Sequence, residues 1–117
     1  MNIDSFIYLE KLRKFVQTLP GVTEGLCYGT LAYYVGKKLI ARLKEDGITL
    51  VVYSEEREKW LNLDPSTFYI TAHYQNYPYV LVSLTSVSSS DLETVLTEAW
   101  KTRAGKKRLK EWKPGGQ

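Results

Sequence analysis

The sequence contains few of the residues that hold small proteins together through covalent bonds or metal ions. Among its 117 residues there are one cysteine, Cys27, and one histidine, His73. A single cysteine excludes an intrachain disulfide, and structural zinc sites need more thiolate or imidazole ligands than this chain supplies. We therefore expect a reducing, cytoplasmic location, no bound metal and no other cofactor. Cys27 lies in a short apolar segment and is interpreted as a buried, unreactive thiol.

Long apolar runs are also missing. No stretch approaches the roughly 20 apolar residues of a membrane-spanning helix, and the first residues lack the basic and apolar regions of a secretory signal. We expect no membrane association. Apolar residues make up 44% of the chain and charged residues 25%, which is ordinary for a globular domain. A chain of this length fits one core, so we expect a single domain over residues 1–113 and a flexible tail at 114–117.

The spacing of apolar residues predicts helices at both ends of the chain. A first helix runs from a cap at Asp4 or Ser5 to the breaker Pro20. The last helix is predicted from a capping box formed by Ser90 and Glu93, followed by an apolar stripe that ends near Trp100.

The middle of the chain has the pattern of a sheet. Short runs rich in Tyr, Val, Leu and Ile between residues 33 and 53 are separated by glycine turns, which favours antiparallel hairpins. A short helix with Trp60 facing inward follows a cap at Ser54. Two more strands, at 68–71 and 79–84, flank an aromatic loop. We predict an α+β fold, in which an antiparallel sheet of about five or six strands packs against the N- and C-terminal helices on one face.

The net charge of +3 comes from one end of the sequence. Residues 101–113 carry a single acid, Glu111, and seven cations: Lys101, Arg103, Lys106, Lys107, Arg108, Lys110 and Lys113. Clustered cations attract phosphates or acidic surfaces, although the same residues also complement the dipole at a helix C-terminus. Leu109 and Trp112 lie three apart, so a short helical turn can dock them on the domain. Lys106, Lys107, Arg108 and Lys110 would then face outward as a nucleic-acid-binding patch.

Several short motifs, taken in order, resemble the YjbR/MmcQ family over nearly the whole chain. They are LPGVTE at 19–24, VGKKL at 35–39, HY at 73–74 with YPYVLV at 77–82, and AW at 99–100. The resemblance implies a fold similar to CyaY, the bacterial frataxin. Members of this family are commonly described as DNA-binding-like. The sequence departs from the family pattern at Tyr79, where a tryptophan is common, and in its basic C-terminus. A frataxin-like fold raises iron binding, but the carboxylates here are too few and too mixed with cations to favour it.

The aromatic loop contains the one histidine, which invites a catalytic interpretation. A general base needs a positioned partner, and no nucleophile stands at a suitable spacing from His73. We therefore expect no enzyme activity and predict that His73 fixes the loop through contacts with Tyr74 and Tyr77.

Two functions remain open from the sequence. In the first, the domain binds DNA through its basic patch, with exposed rings adding contacts. In the second, it is a protein-interaction or adaptor domain whose tyrosine-rich surface is the anchor. The rings expected at the surface in either case are His73, Tyr74, Tyr77 and Trp112.

Overall fold

The first helix, α1 (Ile3–Val16), begins earlier than the sequence suggested. The computed structural model describes residues 3–112, with side chains from Phe6 onward, so the predicted tail at 114–117 lies outside the described residues. Asp4 and Ser5 are already inside α1, and the prediction that either caps it is therefore wrong.

Six strands follow and form one antiparallel sheet in the order β1-β2-β3-β4-β6-β5. Their bounds are β1 (Val22–Cys27), β2 (Thr30–Val35), β3 (Lys38–Leu43), β4 (Thr49–Tyr53), β5 (Phe68–Tyr69) and β6 (Tyr79–Ser83). Tight glycine-containing turns join β1 to β2 and β2 to β3. Between these last two strands the register shifts by one residue, because Tyr33 pairs with Ala41 while Tyr34 pairs with Leu39. The extra residue is Ile40, and the resulting β-bulge turns both Ile40 and Ala41 into the core.

The remaining helices are α2 (Glu58–Leu63), α3 (Ser89–Arg103) and α4 (Lys106–Glu111), with a 3₁₀ turn at Ala72–Tyr74. The cap of α3 is Ser88, whose hydroxyl accepts a hydrogen bond from the Asp91 amide at 3.1 Å, so the capping box predicted two residues later is wrong. Ser54 likewise does not cap α2, which begins at Glu58.

The core lies on one face of the sheet. α1 contributes Leu12 and Val16, α3 packs across β3 and β4, and the Trp100 indole donates a hydrogen bond to the Pro20 carbonyl at 2.8 Å. Trp100 is fully buried and Trp60 is only 5% exposed, as the apolar spacing predicted. The α+β fold with helices on one face is thereby confirmed. No helix within residues 3–112 is both long enough and apolar enough to span a bilayer.

The opposite side of the sheet, called here the helix-free face, is formed by the alternate strand positions. One row across it pairs Ala32 with Arg42, Arg42 with Val51, Val51 with Leu81, and Leu81 with Tyr69. These residues do not belong to the core cluster, which contains their neighbours along each strand. The centre of this face is nevertheless buried, since Ala32, Val51 and Leu81 are at most 1% exposed and Arg42 is 9% exposed.

Candidate nucleic-acid interface

The basic helix α4 is held on the domain by the residue that follows it. α3 ends at Arg103, the chain turns at Gly105, and α4 ends with Trp112 as its C-cap. The Trp112 ring packs on Trp100 with centroids 5.7 Å apart, and the Lys101 ammonium lies 4.4 Å above the centroid of the Trp112 ring. Leu109, predicted to dock beside Trp112, is 37% exposed and is not part of this contact. The anchor of α4 is therefore the tryptophan.

The four predicted DNA-contacting cations do not all face outward. Lys106, Lys107 and Lys110 are exposed, whereas Arg108 is half-buried. A side chain at Gly21 would place its Cβ 2.1 Å from the Arg108 Nε, so the arginine occupies space that this glycine leaves open. The outward orientation predicted for Arg108 is wrong, since its side chain helps to seat α4 against the turn after α1.

The three exposed lysines of α4, named here the lysine patch (Lys106, Lys107 and Lys110), form no ion pair with any side chain of the described residues. Two of them begin the helix, where the peptide dipole is positive and cations are disfavoured. Complementing the dipole therefore does not account for Lys106 and Lys107. The patch concentrates positive charge on a short, anchored element.

The aromatic loop between β5 and β6 packs its rings against one another. The His73 ring stands edge-on to Tyr74, with centroids 4.7 Å apart, and is tilted towards Tyr77 at 6.2 Å. Tyr74 in turn approaches Tyr79 at 6.0 Å. His73 and Tyr77 are exposed and Tyr74 is half-buried. These three rings form one group, whereas Trp112 packs on Trp100 instead of joining them.

The loop is held by an arginine that no local sequence pattern singles out. Arg57 Nη1 donates hydrogen bonds to the carbonyls of Tyr74, Tyr77 and Tyr79 at 2.8, 2.5 and 2.9 Å. Its Nη2 donates to the Gln75 carbonyl at 2.7 Å. A planar guanidinium can satisfy several carbonyls that converge on it, which an ammonium group cannot do equally well. The backbone of the aromatic loop is thus wrapped around one cation.

A second arginine organises the helix-free face. Arg42 donates hydrogen bonds to the Thr30 hydroxyl at 3.2 Å and to the Tyr74 hydroxyl at 3.3 Å. Its closest carboxylate is Glu45, at 3.8 Å on the rim of the face. The Tyr28 ring lies 5.4 Å from its guanidinium carbon. Arg42 therefore connects the β1–β2 hairpin to the aromatic loop across the middle strands.

A groove of about 450 Å³ between α1 and the β1–β2 hairpin contains a closed polar network. Arg13 donates to the Glu24 carboxylate at 3.0 and 3.2 Å, and the Tyr33 hydroxyl donates to the same carboxylate at 3.0 Å. Hydrogen bonding from Arg13 holds the pKa of Glu24 below its usual value, and burial raises the pKa of Tyr33. Because these groups satisfy one another, the network joins helix to hairpin.

Metal-binding and nucleophilic groups are sparse in the part of the chain that the structure describes. It contains no cluster of three or more His, Cys, Asp or Glu side chains positioned to hold a metal ion. Cys27 is only partly buried, at the end of β1, so its predicted burial is wrong.

Comparison with known proteins places this fold among uncharacterised relatives. The family model described as YjbR matches residues 17–102. Uncharacterised proteins of Mycobacterium bovis and Mycobacterium tuberculosis are each 32% identical over 65 residues, which is 56% of this chain. That alignment covers 44% of each relative, so the chain spans less than half the length of the curated relatives it matches.

A solved structure is also similar. It is the crystal structure of a Deinococcus radiodurans protein with a DUF419 domain, which superposes with a TM-score of 0.72 over 93% of this chain and 94% of that chain. The two sequences are 21% identical, so this similarity shows the shared fold.

Proposed function

The chain belongs to the YjbR family, and we propose that this member is a small binding domain that contacts the phosphate backbone of nucleic acids without sequence specificity. The proposal assigns it no catalytic role. It places the protein in the cytoplasm, where a lone, partly exposed thiol such as Cys27 stays reduced.

The observation that carries this proposal is the lysine patch on an anchored helix. Its three lysines are exposed and form no ion pair with the side chains described, and Trp112 holds the helix that presents them. Such ammonium groups bind phosphates with release of condensed counterions, which gives an attraction independent of base sequence. The patch occupies one short helix, and no zinc finger motif accompanies it in the sequence, so base reading is not part of the proposal.

Charge reversal within the patch tests the proposal. We expect the double variant Lys106→Glu/Lys107→Glu to bind a duplex about 50-fold more weakly at 0.1 M salt, because each lost phosphate contact removes close to one log unit there. The readout is fluorescence anisotropy with a labelled duplex of arbitrary sequence.

The matched control makes the same change in charge elsewhere on the surface. Lys37 and Lys38 are neighbouring exposed lysines at the turn between β2 and β3. Lys37→Glu/Lys38→Glu should weaken binding by no more than a few-fold. Equal losses in the two double variants would show that net charge, and not the patch, determines binding.

The aromatic loop supports a second candidate, a protein-interaction domain. Tyr77 is 56% exposed beside the exposed His73, on a backbone that Arg57 fixes. Rigid exposed rings are common anchors of protein interfaces. This function predicts that the wild type binds no nucleic acid at low salt. It also predicts that a partner recovered by affinity capture is lost by Tyr77→Ala and retained by Lys106→Glu/Lys107→Glu.

A further inference from the structure

The turn at the tip of the β1–β2 hairpin contains an unusual residue, Tyr28. The strands pair up to Cys27 and Thr30, which leaves a two-residue turn of Tyr28 and Gly29. Both residues have positive φ, 53° for Tyr28 and 79° for Gly29, as in a type I′ turn. The first position of such a turn favours asparagine, aspartate or glycine, because a side chain of ordinary shape is strained there. Tyr28 is the one non-glycine residue with positive φ among those described.

Burial does not compensate this strain, since Tyr28 is 86% exposed. The Arg42 guanidinium lies 5.4 Å from the centroid of the ring. Leu26, on the same hairpin, is also largely exposed. A strained residue that keeps a large aromatic ring in solvent points to a binding role, because neither the turn nor the core requires it.

The helix-free face next to this tip combines aromatic rings with positive charge. The ring of Tyr34 crosses Gly25, whose Cβ position lies 3.5 Å from it, and its hydroxyl donates to the Leu26 carbonyl at 3.0 Å. Tyrosines 69 and 79 occupy other strand positions of this face, and Tyr74 reaches it from the loop.

Two cations lie on this face, one at a strand position and one directly after β3. Arg42 lies at the centre of the face, and two residues on, Lys44 continues the same alternation. Within residues 3–112, no acid occupies a strand position of the face. Two acids lie on its rim: Glu45, which follows β3 and pairs weakly with Arg42, and Asp46, whose carboxylate accepts hydrogen bonds from the Thr49 amide and hydroxyl.

We propose that the hairpin tip and the helix-free face bind single-stranded nucleic acid, with an unpaired base stacked on Tyr28. Lys44 would supply positive charge to the adjoining phosphates, and the guanidinium of Arg42, which is 9% exposed, would add to the local positive potential without contacting them. Single strands fit because stacking on a protein ring needs a base face that a duplex keeps covered, and because every base offers such a face. An exposed ring with the Arg42 guanidinium nearby also complements a polyanion with stacking faces better than a neutral peptide. This inference rests on the proposed function and extends it to a second surface and a class of ligand.

The test replaces Tyr28 with asparagine, which accepts the positive φ but offers no ring. We expect Tyr28→Asn to bind a labelled oligothymidine of about 20 nucleotides about tenfold more weakly, the loss of roughly one stacked base. Its duplex affinity should be unchanged. Its melting temperature should equal or exceed that of the wild type by up to about 5 °C, because the turn is relaxed.

Tyr28→Phe is the matched control, since it retains the ring and should retain the affinity for single strands. Tyr28→Gly, which the same φ accepts, replaces the asparagine variant if that variant is unstable. Loss of stability in both would overturn the strain argument and with it the proposal.

The outcomes separate this inference from the proposed function. Equal binding of oligothymidine by the wild type and Tyr28→Asn overturns the inference, and so does a wild type that binds duplex only. In either case duplex binding that is lost in Lys106→Glu/Lys107→Glu leaves the proposed function standing. A wild type that binds neither ligand overturns both. A Tyr28→Asn variant that loses a protein partner while single-strand binding is intact assigns the tip to protein recognition and overturns the inference.

Discussion

Replacing Arg57 should unfold the aromatic loop and measurably destabilise the domain. Its guanidinium donates four hydrogen bonds to loop carbonyls. A hydrogen bond from a charged donor contributes ~1.5–3 kcal/mol, but these carbonyls belong to a surface loop and regain water when the donor is removed. We therefore expect Arg57→Met to lower the free energy of unfolding by ~2–3 kcal/mol and the melting temperature by roughly 10 °C.

The assay combines urea denaturation with amide hydrogen exchange over residues 72–79. Exchange there should accelerate in Arg57→Met, while the amides of the core strands lose only the protection that follows from lower global stability. Arg57→Lys should recover little, because one ammonium cannot reach all four carbonyls. Lys38→Met, which removes an exposed cation with no hydrogen bond among the residues described, is the control and should change stability by about 0.5 kcal/mol or less. A loss no larger than this in Arg57→Met, with unchanged exchange, would refute the reasoning.

Three further predictions concern the loop, the anchor and acid stability. His73→Ala should lower the free energy of unfolding by ~0.5–1 kcal/mol, since it removes the edge-on contact with Tyr74. It should leave nucleic-acid affinity unchanged in anisotropy titrations. An enzymatic activity that is lost in this variant would instead show that His73 is catalytic. Trp112→Ala should release α4, seen as rapid amide exchange over residues 106–111, and lower duplex affinity; protected amides would show another anchor. Hydrogen bonds from Arg13 lower the pKa of Glu24. Burial alone would raise the pKa of Asp46, but hydrogen bonds from Thr49 and from the Ile48 amide together outweigh it and lower that pKa. The two ionised carboxylates contribute fully to folding stability at pH values above the ordinary carboxyl pKa range, and this contribution is lost as pH falls through their lower folded pKa values. Urea midpoints should therefore drop below about pH 4. A flat profile of midpoint against pH there would contradict these assignments.

The fold could be predicted from local pattern because helix and strand periodicities survive in the sequence. Helix boundaries were harder to predict where several neighbouring residues can serve equally well as the cap. Three consecutive serines, 88–90, stand at the start of α3, and each has the chemistry to cap it. Packing selects Ser88, which places Leu92 and Trp100 in the core. The helix-free face could not be predicted for a different reason. β4 is buried along its whole length, so Thr49–Tyr53 shows no alternation of apolar and polar residues that would distinguish its two faces.

The candidate site was predicted only where its residues are close in sequence. The lysine patch is a local cluster and was visible as one. Arg57 looks like any other charged residue in the run EEREK, and its role arises because the fold brings carbonyls from residues 74–79 around it. Arg108 was misplaced because its neighbour, Gly21, is far away along the chain. The strained turn could have been predicted from Tyr28 next to Gly29, since an aromatic residue before a turn glycine in a tight hairpin implies strain.

The central claim is that the lysine patch binds phosphates, and the salt dependence of duplex affinity tests it most directly. With three exposed lysines in contact with phosphates, the slope of log affinity against log salt should be about −3 for the wild type. It should be shallower by about 2 in Lys106→Glu/Lys107→Glu and unchanged in Lys37→Glu/Lys38→Glu. Equal slopes in all three proteins, or no duplex binding by the wild type at 50 mM salt, would contradict the account.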